Sequence, residues 1–230
     1  MNRVGVDQAL KRSFQRRLLK WYQSRGRDLP WRRTRDPYQI LVSEVMLQQT
    51  QVDRVLGFYD KFLERYPTVE ELASARPSKV REAWDGLGYY ARARNLHRTA
   101  RQVLHRHGGQ FPRRYVEVHR LPGVGRSTAG ALMSFAFNVP TPILDTNVKR
   151  LLSRVFIQRP SPTPAQMERR LWQLSANLIP NGKSWTFNQA LMDFGALVCT
   201  AKNPRCHTCC FTDICRTYPK LMRGRVERRR

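Results

Sequence analysis

Apolar side chains recur at the spacing of an α-helix along most of this sequence. Leu10, Phe14 and Leu18 follow one another every four residues, and Tyr22 continues the row. A period near 3.6 residues places such side chains on one helix face, whereas a half-buried strand alternates every two residues. The same pattern predicts helices over about 37–66, after Gly88, and over 127–137, 147–156, 163–178 and 185–198, separated by proline and glycine. We find no convincing alternating strand, so the expected fold class is all-α.

Basic residues greatly outnumber acidic ones. The chain has 42 Lys and Arg against 17 Asp and Glu, which gives a formal net charge of +25. An excess of this size attracts polyanions, because bound phosphates release their counterions. The alternatives are a merely soluble basic protein or one that touches anionic membranes. Basic residues distributed through the whole chain, together with its aromatic content, favour a nucleic-acid partner.

The sequence contains no pattern typical of membrane insertion or secretion. No stretch approaches the roughly 20 apolar residues of a membrane span, and the N-terminal residues lack the apolar region of a signal peptide. We therefore expect an intracellular protein, cytoplasmic and associated with the nucleoid if its source is prokaryotic.

All five cysteines lie within one short segment that ends at Cys215. A secreted disulfide framework would spread cysteines along the chain, so this grouping indicates one local metal or cluster site. Four of them follow the spacing C-x6-C-x2-C-x5-C: Cys199, Cys206, Cys209 and Cys215. These thiolates could hold either a structural zinc ion or an iron–sulfur cubane, and ligand type alone does not decide between them. Cys210 lies outside this spacing and is not expected to be a ligand. His207 could also bind a metal, but four cysteines suffice.

A glycine-containing segment between predicted helices is typical of a phosphate-binding hairpin. Gly123 and Gly125 lie two residues apart in LPGVGRSTAG, residues 121–130. Glycine permits a tight turn and a close approach to a ligand, and the N–H groups of the helix starting near Ser127 suit a phosphate oxygen. An ordinary helix–helix turn is the alternative, but the flanking Leu-Pro and the small residues after Ser127 favour a helix-hairpin-helix that anchors DNA without reading its sequence. The expected contacts come from Leu121, Gly123, Val124, Gly125 and Arg126.

Two carboxylates are candidates for chemistry. Asp145 precedes a helical segment and is a good N-cap for it. Glu44 lies in the apolar stretch LVSEVML, residues 41–47, where a raised pKa could keep it protonated, as a general acid requires. Taken alone, these residues favour the plainer roles: a structural cap for Asp145 and a surface salt bridge for Glu44.

Several stretches together resemble the MutY family of adenine DNA glycosylases, within the helix-hairpin-helix superfamily that includes endonuclease III. They are DLPWR at 28–32, RDPY at 35–38, VSEVMLQQTQV at 42–52, GLGYYARARN at 86–95, the hairpin, ILDTNVKR at 143–150 and FNQALMDFGALVC at 187–199. The resemblance implies a two-lobed fold: a six-helix lobe with the hairpin over 29–140, and an iron–sulfur cluster lobe built from 1–28 plus 141–217. A DNA cleft is expected between the lobes, and residues 218–230 form a basic tail.

The resemblance also implies catalytic roles. Glu44 is expected to protonate N7 of adenine and so improve the leaving group. Asp145 is expected to stabilise the oxocarbenium-like sugar, either electrostatically or through a covalent adduct, before water attacks, as in a retaining glycosidase. Asn147 would orient Asp145 or a water molecule. Ser127 stands where endonuclease III enzymes carry a Schiff-base lysine, so strand cleavage is not expected.

Further positions match binding residues of the family. The base pocket is expected to be lined by Trp31, Arg32, Leu47 and Gln189. Gln48 and Tyr89 match residues that wedge into the duplex and fill the space left by the flipped base. The cysteine spacing matches the family's 4Fe–4S loop, so the resemblance implies this cofactor on Cys199, Cys206, Cys209 and Cys215.

The expected activity is that of a monomeric, monofunctional DNA glycosylase acting on duplex DNA. Its substrate would be adenine opposite 8-oxoguanine or guanine. The alternatives are thymine or uracil opposite guanine, or another lesion; a bifunctional glycosylase and lyase; and a non-catalytic DNA-binding module. We expect no C-terminal 8-oxoguanine-recognition domain of the kind that adenine glycosylases of this family usually carry, which leaves the opposite-base preference open. Thr146 also stands where many relatives have glycine.

Overall fold

The computed structural model describes residues 6–219 and 221, and every regular element in that part of the chain is a helix. The α-helices are α1 (Gln8–Arg25), α2 (Pro37–Met46), α3 (Val52–Arg65), α4 (Val69–Ser74), α5 (Pro77–Ala83), α6 (Ala91–His107), α7 (Tyr115–His119), α8 (Arg126–Phe137), α9 (Thr146–Phe156), α10 (Pro164–Leu178) and α11 (Ser184–Leu197). Short 3-10 turns lie at Pro30–Arg32 and Cys206–Thr208. The all-α prediction is confirmed.

The chain divides into two compact units. One is Asp28–Val139, and the other combines Met1–Arg27 with Pro140–Arg230. In the Asp28–Val139 unit, α2 packs against α3, α6 and α8, while α4 and α5 pack against α6. Its core includes the fully buried Trp84, whose ring meets that of Phe62 edge-on at 5.7 Å between centroids.

The prediction of one helix over 37–66 is wrong. The chain leaves the helix after Met46 and re-enters it at Val52, and between them Gln49 adopts a φ of +57° that no α-helix allows. The apolar spacing continues across the break, but Leu56 is 38% exposed. A hydrophobic pattern cannot distinguish one long helix from two shorter ones, because it does not register the local backbone turn.

The second unit is built around α1, α9, α10 and α11, close to their predicted spans. Phe14 and Leu18 of α1 are completely buried, as the four-residue spacing predicted. Phe211 directly follows the adjacent Cys209 and Cys210; its ring stacks on Phe14 at 4.5 Å and meets Phe194 at 4.8 Å between ring centroids. These contacts anchor the cysteine-containing segment to the core of this unit.

Among the described residues, none of the helices combines the length and apolar character needed to cross a membrane. The basic residues 222–230 of the predicted tail lie outside the described part of the chain.

Candidate functional site

Glu44 lies on α2, a helix whose side chains are mostly buried. The helix begins at Pro37, where the Asp36 carboxylate accepts the Tyr38 backbone N–H at 2.8 Å. Ser43 and Val45 are 1% and 5% exposed, whereas Glu44 between them is only half-buried. Glu44 therefore lies at the border between the buried face of α2 and the surface, and its role as a general acid stays a prediction.

The loops that carry Gln48 and Tyr89 are joined by a buried arginine, Arg92. The four N–H groups of its two terminal nitrogens are shared among six oxygens at 2.5–3.2 Å: the carbonyls of Val45, Met46, Gln48, Leu87 and Gly88 and the hydroxyl of Thr50. Arg92 is 8% exposed, and burial lowers its pKa from the ordinary value. One side chain thus satisfies backbone carbonyls from both loops and holds them together.

Both loops contain strained backbone. Gln49 and Tyr89 have φ values of +57° and +48°, a region that non-glycine residues seldom occupy. Tyr89 is nevertheless 60% exposed, with the Arg92 guanidinium 5.4 Å from its ring centroid. Gln48 is half-buried and donates from Nε2 to Thr128 Oγ1 at 3.4 Å. A large aromatic side chain is therefore presented outward from a loop whose conformation is held by other residues.

The hairpin between α7 and α8 has the tight turn expected from its glycines. Gly123 has a φ of +74°, and a Cβ there would lie 2.8 Å from Asn95 Cβ. Leu121 and Val124 are buried and point the turn's apolar side inward. Gly125 is the N-cap residue of α8, so no side chain covers the first N–H groups of this helix. A Cβ added at Gly125 would meet no atom within 4 Å. The start of α8 can therefore be approached closely by a ligand.

The first turn of α8 contains Arg126, which is exposed, and Ser127, which is half-buried. Ser127 brings a hydroxyl group to this position and no amine. The structure thus places the candidate phosphate-binding turn and the position of Ser127 on the same helix start.

The four base-pocket candidates are divided between the units. Trp31 and Arg32 lie in the 3-10 turn after Leu29 and are 6% and 9% exposed; Trp31 packs edge-on against Tyr59 at 5.2 Å. Leu47, just after α2, is half-buried in the same unit. Gln189 is 3% exposed on α11 in the other unit. Glu44 and Asp145 are divided in the same way, so a shared pocket stays a prediction.

Asp145 is the N-cap of α9, as predicted. Its Oδ1 accepts the Val148 backbone N–H at 2.7 Å. Burial raises the pKa of Asp145, although hydrogen bonds from Val148 and Asn147 and the charge of Arg150 act in the opposite direction. The raised pKa means that the ionised carboxylate is disfavoured here compared with an aspartate in water, because burial leaves its negative charge poorly solvated. A poorly solvated carboxylate interacts strongly with any cation that forms beside it.

Arg150 connects this turn with the cysteine segment. Its Nη2 donates to Asn147 Oδ1 at 2.6 Å and to the Gly195 carbonyl at 2.7 Å, and its Nε donates to the Cys199 carbonyl at 2.7 Å. Gly195 leaves no room for a side chain, because a Cβ there would lie 2.8 Å from Asn147 Cβ. Asn147 is therefore held against α11 both by its direct contact with Gly195 and by Arg150, which bonds to Asn147 and to Gly195.

The four cysteines of the C-x6-C-x2-C-x5-C pattern line one cavity, and Cys210 is not among its lining residues. Apolar side chains, including Leu151 and Val155, form much of the remaining wall. Arg154 Nη1 lies 3.5 Å from Cys199 Sγ, and the Phe211 N–H donates to Cys209 Sγ at 3.4 Å. The cavity thus combines four thiols with donors directed at sulfur.

Burial raises the pKa of Cys209 to about 12 and also raises that of Cys215. Thiolates in this cavity therefore require a compensating positive group such as a metal centre. Among the described residues, however, no three or more His, Cys, Asp or Glu side chains converge as a site for a metal ion. Four thiols around one shared cavity are a donor set that fits a metal centre held by cysteines.

The sequence pattern did not single out two arginines that hold the candidate loops, the buried Arg92 and the half-buried Arg150. A signal existed for Arg92, because helical spacing puts it on the same face as Leu96, Ala100 and Val103. A basic residue inside an apolar stripe predicts a buried cation with several acceptors.

Comparison with known proteins identifies the family. The model of the HhH-GPD superfamily of base excision DNA repair proteins matches residues 42–177. The adenine DNA glycosylase of Rattus norvegicus is 42% identical over 223 residues, covering 93% of this chain and 43% of that relative. The adenine DNA glycosylase of Buchnera aphidicola subsp. Baizongia pistaciae is 41% identical over 206 residues, covering 89% of this chain and 58% of that relative. The chain thus spans less than two thirds of the length of these relatives.

Two kinds of solved structure share this fold. A thermostable thymine-DNA glycosylase superposes with a TM-score of 0.83 at 34% identity, covering 91% of this chain and 97% of that one. Endonuclease III in a non-covalent DNA complex superposes with a TM-score of 0.79 at 25% identity, covering 95% of this chain and all of that one. Together with the matched residues 42–177, these similarities show that the chain belongs to the helix-hairpin-helix superfamily of base excision DNA repair proteins.

Proposed function

We propose that this chain is a monofunctional DNA glycosylase that hydrolyses the N-glycosidic bond of adenine mispaired with 8-oxoguanine or guanine. The observation that carries the proposal is the Asp145 carboxylate, which is capped by Val148 N–H and poorly solvated. Such a carboxylate gains most when a cationic sugar forms beside it, because the charge is little screened. The similarity to adenine DNA glycosylases over about nine tenths of the chain supports adenine as the base.

In this mechanism Glu44 acts as the general acid. It transfers a proton to N7 of adenine, and the bond between C1′ and N9 then breaks with its electron pair leaving on the base. Asp145 stabilises the resulting oxocarbenium-like sugar. Water adds to C1′ and returns a proton to the ionised Glu44, so that both carboxyl groups recover their starting states.

Binding is assigned to the remaining candidates. The hairpin at Gly123 and Gly125 holds backbone phosphate, while Gln48 and Tyr89 enter the duplex and keep the adenine extruded. The exposure of Tyr89 and its support by Arg92 agree with such insertion. Trp31, Arg32, Leu47 and Gln189 contact the extruded base.

Strand cleavage is not part of the proposed reaction. A lyase forms a Schiff base between a lysine amine and C1′ of the sugar. Ser127, in the first turn of α8, offers only a hydroxyl group. The product should therefore be an intact strand with an abasic site.

A thymine substrate is the second candidate, because the thymine-DNA glycosylase structure matches this fold at 34% identity. Single-turnover base release decides between the two, measured on one duplex sequence with A:8-oxoG, A:G, T:G, U:G or hypoxanthine pairs, with and without alkali. Release of adenine with breaks only after alkali supports the proposal. Release of thymine or uracil with adenine untouched would overturn the substrate while keeping the carboxylate mechanism.

For the cysteine cavity we propose a 4Fe–4S cluster held by Cys199, Cys206, Cys209 and Cys215. A zinc ion would draw its four sulfurs to about 3.8 Å from one another, given bonds of about 2.3 Å. A cubane takes one thiolate per iron and leaves the thiolates spread around a shared volume. The four cysteines line one cavity, and their C-x6-C-x2-C-x5-C spacing matches the 4Fe–4S loop of the family, which favours the cubane over zinc. When bound, the cluster would cross-link this loop. Arg154 and the Phe211 N–H lie beside the sulfurs of Cys199 and Cys209, respectively.

A further inference from the structure

The outer face of α6 carries a row of basic side chains with no acidic residue on the helix. Its inward face is buried, as Leu96 and Val103 show. Arg98, Arg101 and Arg106 are exposed. Within residues 6–219 and 221, none of these three arginines forms an ion pair. Their charge is therefore available to a partner.

This row adjoins the hairpin turn. The three arginines line an open groove whose other members are Gln102, His105 and Pro122. The Pro122 carbonyl accepts a hydrogen bond from Thr99 Oγ1 of α6 at 2.9 Å. Gly123 lies so close to Asn95 of α6 that a Cβ would approach it to 2.8 Å. The hairpin turn thus rests directly on α6, and the basic groove is continuous with it.

The length of the row suits a polyanion better than a small anion. Arg98 and Arg106 are eight residues apart, which is about 12 Å along a helix axis. Each strand of B-DNA carries one negative charge per about 3.4 Å of its axis. The row therefore spans about three to four successive phosphates of one strand.

We propose that the groove formed by Arg98, Arg101 and Arg106 binds the sugar–phosphate backbone of duplex DNA beside the hairpin. This inference rests on the proposed function and extends the DNA contact beyond the hairpin turn. Because phosphate contacts carry no sequence information, the groove adds affinity without sequence preference.

The test compares two triple variants that each remove three positive charges from one long helix. Arg98→Gln, Arg101→Gln and Arg106→Gln change the groove. Arg12→Gln, Arg16→Gln and Lys20→Gln change exposed residues of α1 over an equal sequence span and serve as the matched control. The dissociation constant for a lesion-free duplex of about three helical turns is measured by fluorescence anisotropy over a series of salt concentrations.

Each lost phosphate contact lowers the slope of log Kd against log salt by about 0.9. In the groove variant this slope should decrease by about 2 to 3, and the duplex should bind at least about tenfold more weakly at low salt. The α1 control should change much less. An unchanged slope in the groove variant, or an equal decrease in both variants, would overturn the proposal. Thermal melts check folding, and the three single substitutions replace any triple variant that does not fold.

The lesion-free duplex separates this inference from the proposed function. Wild-type base release is assayed on the mismatched duplexes described above. If no base is released but the groove variant still loses salt dependence, the groove assignment stands and the glycosylase proposal fails. If base is released and the slope does not change, the reverse holds.

Discussion

The guanidinium of Arg150 donates from Nη2 to Oδ1 of Asn147 at 2.6 Å. Through Nε the same group donates to the carbonyl of Cys199 at 2.7 Å. One side chain therefore links the turn of Asp145 to the first of the four clustered cysteines. A disturbance of the cysteine loop can reach the turn through these two hydrogen bonds.

Replacing Arg150 should slow base release more than it weakens DNA binding. Arg150→Gln removes charged hydrogen bonds worth about 1.5–3 kcal/mol each, so we expect a roughly 10- to 100-fold slower single-turnover rate at saturating protein. Lys149→Gln is the control, because Lys149 is exposed and its ion pair with Glu168, at 3.8 Å, is a long and weak surface pair. Equal losses in both variants, or a matching loss of DNA affinity, would argue against a positioning role.

Asp145→Asn should abolish base release yet stabilise the fold at neutral pH. Because burial raises the pKa of Asp145 in the folded state, stability falls as pH rises from the unfolded pKa through this raised value. Asparagine caps helices as well as aspartate and carries no charge. Urea unfolding at a pH of about 7.5 and about 4.5 should therefore show a larger gain for the variant at the higher pH.

The same raised pKa predicts the acid side of the pH–rate profile. Catalysis requires ionised Asp145, so the single-turnover rate should fall on acidification at a pH above that of an ordinary aspartate. Asp36→Asn, at another helix N-cap, should retain base release, whereas Asp145→Asn should lower the single-turnover rate at least about a hundredfold. A variant at Asp145 that is both active and less stable than wild type would contradict the assignment.

The cysteines provide an internal control for the cluster. Wild-type protein purified without oxygen should contain about four iron atoms per chain by elemental analysis. Cys209→Ser should lose iron and melt at a lower temperature. Cys210→Ser should retain both, because Cys210 does not line the cavity and its carbonyl accepts from Arg17 at 3.0 Å. One zinc per chain in the wild type would contradict the cubane.

The two hairpin glycines should respond differently to alanine. Gly123→Ala forces a Cβ into a φ of +74° and to 2.8 Å from Asn95, so it should lower the free energy of unfolding by roughly 1–3 kcal/mol. Gly125→Ala meets no atom within 4 Å and should leave stability nearly unchanged. If phosphate approaches the start of α8, Gly125→Ala should still weaken DNA binding. Unimpaired affinity would mean that DNA does not touch this backbone.

Arg92 should be essential for the two loops that it joins. Arg92→Gln removes the guanidinium that donates to the carbonyls of Met46 and Leu87, which costs on the order of 3 kcal/mol of unfolding free energy. Arg94→Gln, two residues along the same helix, changes an exposed arginine and should alter stability by less than about 0.5 kcal/mol. Chemical denaturation of both variants tests this. Equal stability of the two would show that the six contacts of Arg92 contribute little.

Much of this structure follows from interactions that are local in sequence. The apolar rows of α1 and α6, the N-cap at Asp145 and the glycine turn at Gly123 each depend on residues within a few positions of one another, so the sequence predicted them. The spacing of the cysteines likewise predicted a common site, and the four line one cavity.

Tertiary structure decided what local patterns do not encode. The break at 47–51 has a continuous apolar pattern, but Arg92 satisfies the carbonyls of Val45 and Met46 from more than 40 positions away. Arg150 likewise reaches Cys199 across 49 positions. These arginines donate to carbonyls that lie near them only because distant segments pack together. The helices α1, α6 and α8 to α11 therefore follow from the sequence by itself, whereas the break between α2 and α3 and the residues that hold the candidate loops in place are set by packing.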